Sequence, residues 1–247
     1  MASITLDNVS IHFPLFHTGG RSLRKTLLSV TTKKNFASDR HGLYVRALDG
    51  VSLQVDHGDR VGIVGRNGAG KTTLLRVIAG IYEPVAGRVA VDGAVNALLD
   101  VNLGLSLDAT GYENIILRGL YLGMHPSEIR ALAPGIAAFS ELGEFLHFPA
   151  RTYSTGMFLR LAFSIVTATK PELLLMDEWL MAGDAHFLAK AAERIDGFIG
   201  QSKILVLASH SLEIIRKWCN RVIWLEAGRI VMAGEPSAVL DRYSQAT

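Results

Sequence analysis

Residues 65–72 have the sequence Gly65-Arg66-Asn67-Gly68-Ala69-Gly70-Lys71-Thr72. It matches the pattern G-x-x-x-x-G-K-[ST] and lies between a predicted strand over residues 60–64 and a predicted helix over residues 71–79. Glycines let the backbone N–H groups of such a loop surround phosphate groups, and the start of the helix adds unsatisfied donors and partial positive charge. A glycine-rich turn with a solvated lysine is the alternative, but it would not require a strand and a helix around it. The sequence therefore predicts a phosphate-binding loop in an α/β domain.

Individual residues of this loop are predicted to bind different parts of a nucleotide and its Mg²⁺. The Lys71 ammonium is placed to reach the β- and γ-phosphates, and we count it among the catalytic residues. The Thr72 hydroxyl is placed to bind Mg²⁺. The residues assigned to the phosphates are Gly65, Asn67, Gly68, Ala69, Gly70, Lys71, Thr72 and Thr73.

A second chemical feature is the apolar run Leu173-Leu174-Leu175-Met176, which ends in Asp177 and Glu178. A buried strand that carries acidic side chains at its carboxyl end is where an open α/β sheet binds its ligand. Asp177 is predicted to bind Mg²⁺. Neighbouring strand residues point to opposite faces, so Glu178 is free to accept a proton from an attacking water. Alone, the pair would be interpreted as solvated acids, but the phosphate-loop residues favour the catalytic interpretation.

Composition and charge argue against a membrane-spanning, a disulfide-stabilised and a nucleic-acid-binding protein. Of the 247 residues, 49% are apolar and only 19% are charged, which is below the roughly 25% of a typical soluble domain. Even so, the sequence has no run of the about 20 mostly apolar residues that span a bilayer. The single cysteine, Cys219, cannot form an internal disulfide. A net charge of +2 does not indicate a nucleic-acid partner, and we expect none.

The hydrophobic pattern predicts one α/β domain with a mostly helical insertion. We place the core at roughly 1–97 and 171–235, the helical subdomain at roughly 98–170 and a short C-terminal helix at 236–247. The predicted strands cover residues 3–13, 47–55, 60–64, 87–92, 172–177 and 203–209, followed by a hairpin over 221–233 that turns at Ala227-Gly228.

One segment differs from the rest in charge. Residues 17–43 contain six Lys and Arg side chains and one acid, and Leu23, Leu27 and Leu28 follow a helical spacing there. This basic insertion could lie near lipid head groups or an anionic substrate. It could equally be a solvated loop packed on the core, and both interpretations stay open.

The sequence Tyr153-Ser154-Thr155-Gly156-Met157, followed by an apolar helix, identifies a family. With the phosphate loop and the acidic strand end, it resembles the ATP-binding subunits of ABC transporters, whose signature at this place is usually Leu-Ser-Gly-Gly-Gln. The resemblance implies a P-loop ATPase core with a mixed sheet, an antiparallel β region and a helical subdomain, and it implies ATP and Mg²⁺ as ligands. In the family, residues equivalent to Ser154, Thr155 and Gly156 contact the γ-phosphate held by a second subunit.

The same resemblance implies roles for four further residues. Tyr44 corresponds to the aromatic residue that stacks on adenine, although an ordinary strand tyrosine is the alternative. Asp184 belongs to the loop that crosses between subunits, and His210 corresponds to the histidine that hydrogen-bonds the γ-phosphate. The family also has a glutamine that contacts Mg²⁺ and links to the membrane partner. No glutamine lies in that region here, and Asp100 is assigned to the position.

Two further segments, Asp108–Ile115 and Asp177–Asp184, are similar to the subgroup that exports O-antigen, capsule or wall teichoic acid. This implies an ATPase subunit that powers export of a lipid-linked polysaccharide from the cytoplasmic face of the cytoplasmic membrane. The implied partners are a second, head-to-tail copy and an integral-membrane permease, which binds the glycan. Some members carry a C-terminal carbohydrate-binding domain, and we expect none because the chain stops at Thr247.

Other functions remain alternatives. The chain could serve export of another lipid or small molecule, or it could be a soluble ABC ATPase that acts on DNA, ribosomes or iron–sulfur assembly. A small-molecule kinase that uses the phosphate loop is disfavoured by the signature sequence and by His210.

Overall fold

The structure, a computed structural model, describes residues 2–14, 36–39, 42–99, 103–177 and 185–246. The first part is an antiparallel sheet with the strand order β2-β3-β1-β5. Alternate side chains of its long strands are buried, as expected for a sheet with one face on the core. The strands are β1 (Ser3–Pro14), β2 (Phe36–Asp39), β3 (Gly42–Val55) and β5 (Ala86–Asp92).

The second sheet has the strand order β10-β9-β4-β8-β7-β6 within the described ranges. Five of its strands run parallel, and β10 pairs antiparallel with β9. Strands β7 and β8 are buried along almost their whole length, which explains why they are continuous apolar runs. The strands are β4 (Arg60–Val64), β6 (Val95–Leu98), β7 (Leu173–Asp177), β8 (Ile204–Ala208), β9 (Arg221–Glu226) and β10 (Arg229–Gly234).

The helices follow the predicted order. They are α1 (Lys71–Ile78), α2 (Gly111–Tyr121), α3 (Pro126–Ser140), α4 (Thr155–Val166), α5 (Ala185–Gln201), α6 (Leu212–Trp218) and α7 (Pro236–Ala246). Two 3₁₀ turns, Gly143–His147 and Ala150–Thr152, connect α3 to α4. Helix α2 begins in a capping box, in which Thr110 and Glu113 satisfy each other's backbone N–H groups.

Helices α2, α3 and α4 bury an apolar cluster of their own, which includes Ile115, Ile129 and Leu161. These helices lie within the predicted helical subdomain, although its limits at 98 and 170 stay a prediction. Most of the basic insertion lies outside the described residues. None of the helices that the structure describes is both long enough and apolar enough to cross a membrane.

Three details differ from the sequence prediction. Strand β2 was not predicted; its four residues lie in the basic insertion and pair antiparallel with β3. Strand β3 begins at Gly42 rather than at residue 47, so Tyr44 lies inside the strand. Strand β6 was not predicted; it has four residues and pairs with β7, which is far away in the sequence. So short a segment carries too little periodicity to reveal a strand whose pairing is non-local.

Candidate active site

The phosphate loop lies between β4 and α1, at the carboxyl edge of the parallel strands. Gly70 is the N-cap of α1 and has a φ of 106°, which is the left-handed region. Because glycine has no side chain to cap the helix, the first N–H groups of α1 are left available to an anion. The local geometry is therefore that of a phosphate site.

Two glycines of this loop are required by close backbone contacts. A Cβ on Gly65 would lie 2.3 Å from the Leu225 carbonyl oxygen, and one on Gly70 would lie 2.5 Å from the Ala47 carbonyl oxygen. In contrast, a Cβ on Gly68 would meet nothing within 4 Å, so this residue faces open space. The loop is thus packed against β3 and β9 on one side and open to a ligand on the other.

The Lys71 side chain is almost fully buried beneath the loop. Its Nζ donates to the Gly65 carbonyl oxygen at 2.8 Å and lies 3.2 Å from His210 Nε2. Burial lowers the pKa of Lys71, against the opposing charge of Asp177. Burial also lowers the pKa of His210, and the neighbouring Lys71 lowers it further. The neutral His210 imidazole can therefore accept a hydrogen bond from the Lys71 ammonium.

A cavity of about 540 Å³ joins these groups. Asp177 ends β7, and His210 follows β8, so both reach the cavity from the carboxyl edge of the sheet. The volume lies in the range of small-molecule sites. The lining residues are Phe13, Val45, Ala47, Asn67, Gly68, Ala69, Gly70, Lys71, Thr72, Thr73, Asp177 and His210.

Tyr44 does not line the cavity, and neither does Gly65 at the start of the phosphate loop. The Tyr44 ring stacks on His12, with the ring centroids 4.5 Å apart. Val45 lines the cavity instead, because neighbouring residues of β3 point to opposite faces. Phe13, which is paired with Val45, is the aromatic residue at this wall, and sequence reasoning missed it. The role of Tyr44 therefore stays a prediction, and Phe13 is a second aromatic candidate for it.

The signature residues lie elsewhere on the chain. Ser154 is the N-cap of α4, and its hydroxyl accepts a hydrogen bond from the Met157 N–H at 3.2 Å. A Cβ on Gly156 would contact only the Ser154 oxygen, at 3.9 Å, so the start of α4 is open. Ser154, Thr155 and Gly156 are not among the residues that line the cavity. Their predicted phosphate contact would have to be made with another copy.

The turn between β9 and β10 contacts the phosphate loop, which sequence reasoning also missed. The Gly228 N–H donates to the Ala69 carbonyl at 2.9 Å, and the Gly228 carbonyl accepts from the Asp49 N–H at 2.9 Å. Arg229 Nη2 donates to the Asp49 carboxylate at 2.7 Å, and this hydrogen bond lowers the pKa of Asp49. The turn thus ties the phosphate loop to β3.

The residues present fit a nucleotide with Mg²⁺ better than a metal alone. Within the described ranges, no group of three or more His, Cys, Asp and Glu side chains could hold a metal ion. Thr72 and Asp177 both line the cavity and would hold Mg²⁺ together with phosphate oxygens, which is how proteins usually bind this ion. Glu178, Asp184 and Asp100 lie outside the described residues, and their roles stay predictions.

Residues 48–181 match the family model described as ABC transporter. The chain is 41% identical to the O-antigen export system ATP-binding protein RfbE of Yersinia enterocolitica, over 93% of this chain and 97% of that protein. It is 35% identical to RfbB of Klebsiella pneumoniae, with the same description, over 98% of both chains. RfbB of Myxococcus xanthus, also so described, is 44% identical over 84% of this chain, which spans only 47% of that longer relative.

Solved structures show the same fold. A post-hydrolysis dimer of an ATP-binding cassette bound to ADP and Pi has a TM-score of 0.69 and 21% identity, over 94% of this chain and 98% of that one. An ATP-binding subunit of an ABC transporter has a TM-score of 0.69 and 20% identity, over 98% and 93% of the two chains. The predicted α/β fold class, with its mixed sheet, antiparallel sheet and helices, is confirmed.

Proposed function

The chain belongs to the ABC transporter family, and we propose that it is the ATP-hydrolysing subunit of a transporter that exports a lipid-linked polysaccharide. The observation that carries the ATPase assignment is the convergence of Lys71, Asp177 and His210 on one cavity bounded by the phosphate loop. The polysaccharide assignment rests on the two O-antigen export relatives that match almost the whole chain.

Nucleotide binding uses groups that are already in place. The open N-terminus of α1 and the loop N–H groups receive the phosphates, while Phe13 offers an aromatic surface to the base. The Lys71 ammonium exchanges its contacts with the Gly65 carbonyl and His210 for phosphate oxygens. His210 is then free to hydrogen-bond the terminal phosphate. Mg²⁺, held by Thr72 and Asp177, would neutralise phosphate charge.

Hydrolysis requires a base that accepts a proton from the attacking water. Glu178, the residue after Asp177, has this role in our proposal because it follows the end of β7 at the edge where the cavity lies. Lys71 and His210 stabilise the charge that develops on the phosphate, since both lie at the cavity before any substrate arrives.

A head-to-tail pair of chains completes the site. The start of α4, with Ser154 as its N-cap, is open and faces no phosphate of its own chain. A helix N-terminus of this kind binds anions, so it would contact the nucleotide held by a second copy. Binding closes the pair because both copies share the phosphate charge, and hydrolysis removes that bridge.

The partner in the membrane is a permease that docks on the helical region and carries the glycan. Helix α2 exposes large apolar side chains, from 39% exposure at Tyr112 to 56% at Tyr121. Such a patch is unusual on an isolated monomer and is typical of an interaction surface. Docking there would place the chain at the cytoplasmic face of the membrane and would explain its apolar composition. The exposed apolar side chains of α2 are Tyr112, Ile116, Leu117, Leu120 and Tyr121, and those at the 3₁₀ turn after α3 are Phe145 and Phe148.

The biochemical test is the Glu178→Gln variant. The wild-type chain should hydrolyse ATP, whereas the variant should bind ATP, hydrolyse almost none and sediment as a persistent dimer. Glu128→Gln, on an exposed face of α3, is the control and should keep wild-type turnover. Normal turnover in Glu178→Gln would remove the base assignment, and a wild-type chain that does not hydrolyse ATP, alone or with its permease, would overturn the function.

A further inference from the structure

Aromatic and cationic side chains from three helices meet at one place, apart from the residues that line the cavity. Three phenylalanine rings form its centre, and three cations lie over their faces. We call this the cation–aromatic cluster. Its members are Phe139 on α3, Arg160 and Phe163 on α4, and Phe187, Lys190 and Arg194 on α5.

The geometry of the cluster is close throughout. The centroids of the three rings are 5.8 to 5.9 Å apart. Lys190 Nζ lies 4.6 Å and the Arg194 guanidinium 4.4 Å from the Phe139 centroid, while the Arg160 guanidinium lies 4.9 Å from that of Phe187. All these distances are within the range in which a cation is attracted to a ring face. The cluster therefore holds α3, α4 and α5 together.

Glu141 makes charged contacts with this cluster, although its own backbone adopts an unfavourable conformation. It follows α3 with a φ of 56°, in the left-handed region where a helix usually ends in glycine. Its carboxylate contacts Lys190 Nζ at 2.6 Å and Arg160 Nη1 at 3.8 Å. A side chain kept in an unfavourable backbone conformation indicates that its contacts matter. Here those contacts join α4 to α5.

Helices α4 and α5, which these contacts join, begin near different parts of the proposed site. Helix α4 begins at the open N-terminus capped by Ser154, which would meet the nucleotide of a second copy. Helix α5 begins at Ala185, shortly after the acidic end of β7 at Asp177. A change in the angle between α4 and α5 would therefore move the signature residues relative to the catalytic carboxylates of the same chain.

We propose that Glu141 and the cation–aromatic cluster are positioning residues that fix the angle between α4 and α5. They set where Ser154 and Gly156 meet the partner's nucleotide, and so affect closure of the pair. This inference rests on the proposed function. It assigns to Glu141 a role in closure of the pair and none in the binding of ATP by a single chain.

The test uses Glu141→Gly and Glu141→Gln. Glycine removes the carboxylate and also the backbone cost, so the melting temperature of Glu141→Gly should stay at or above that of Glu141→Gln. Both variants should keep the wild-type affinity of the single chain for a fluorescent ATP analogue. Their kcat should fall by about 5- to 20-fold, with a lower Hill coefficient for ATP, as expected for loss of a coupling contact.

Two controls make the result specific. Asp241→Asn breaks an exposed ion pair with Arg216 on other helices and should leave kcat and the Hill coefficient unchanged. Lys190→Gln should also lower kcat, and the loss in the double variant should be smaller than the sum of the two single losses, because both changes remove the Glu141–Lys190 contact.

Three outcomes would overturn the inference. Wild-type kcat and Hill coefficient in both Glu141 variants would show that the contact does not affect closure. A joint fall of melting temperature, ATP affinity and kcat would show a purely structural role. A wild-type chain without ATPase activity would remove the proposed function and this inference with it, whereas the first two outcomes leave the proposed function standing.

Discussion

At the scale of single residues, the site depends on a few groups held ready by burial. Lys71 lies under the phosphate loop with its ammonium on the Gly65 carbonyl and beside His210. Since burial disfavours the charged forms, it lowers the pKa of both side chains, and an arriving phosphate reverses this effect for each. Lys71 and His210 are thus desolvated before a nucleotide binds, and the negative charge of its phosphates favours their protonated forms.

The first prediction concerns the aromatic contact with the base. Phe13→Leu should weaken binding of a fluorescent ATP analogue by about 3- to 10-fold, because an aromatic pair contributes about 0.5–1.5 kcal/mol beyond area burial. Tyr44→Leu is the matched control and should change the affinity little, since its ring stacks on His12 and does not line the cavity. A larger loss for Tyr44→Leu than for Phe13→Leu would favour Tyr44 as the residue that contacts the base. The measurement is a fluorescence titration.

At the scale of elements, most of the core could be predicted from the sequence because its signals are local. Strand β4 has the predicted bounds, and the β9–β10 hairpin turns at Ala227-Gly228 as predicted. The phosphate loop could be recognised because all the residues of its pattern are contiguous in the sequence. Phe13 was missed because the wall of the cavity comes from the pairing of β1 with β3, which no local pattern reveals.

The turn at Gly228 could not be assigned a role from sequence for the same reason. Its partners, Ala47, Asp49 and Ala69, lie far away along the chain. The cation–aromatic cluster likewise joins three helices that are separated by loops. Contacts of this kind depend on the assembled fold, whereas periodicity reports only on neighbours within one element.

A second prediction tests the contact between this turn and the phosphate loop. Gly228 has a φ of 77°, and a Cβ there would lie 2.8 Å from the Ala47 carbonyl oxygen. Gly228→Ala should therefore lower both the free energy of unfolding, by about 1–2 kcal/mol from the left-handed conformation, and the affinity for ATP.

Gly123→Ala provides a matched control for that variant. Gly123 has nearly the same φ, 79°, but a Cβ there would meet nothing within 4 Å. It should lose only the stability that the left-handed conformation costs, which is no more than Gly228→Ala loses, and keep its ATP affinity, as measured by denaturant unfolding and nucleotide titration. Equal ATP affinities in the two variants would show that the turn does not position the loop.

At the scale of the whole molecule, our proposal explains the apolar composition by surfaces that partners would cover. The described helices include none that could cross a membrane, yet α2 and the 3₁₀ turn after α3 expose a group of large apolar side chains. In our proposal a permease covers that surface, while the open start of α4 meets a second copy. The basic insertion stays without an assigned role, because most of it lies outside the described residues.

In our proposal, this chain powers export of a lipid-linked polysaccharide. The most direct test is deletion of its gene, followed by mass spectrometry of the lipid-linked glycans retained inside the cell and measurement of polysaccharide at the surface. A lipid-linked glycan should accumulate inside while the surface polymer disappears, and the wild-type chain, but not Glu178→Gln, should restore export. Unchanged surface polysaccharide with no intracellular accumulation would contradict the account.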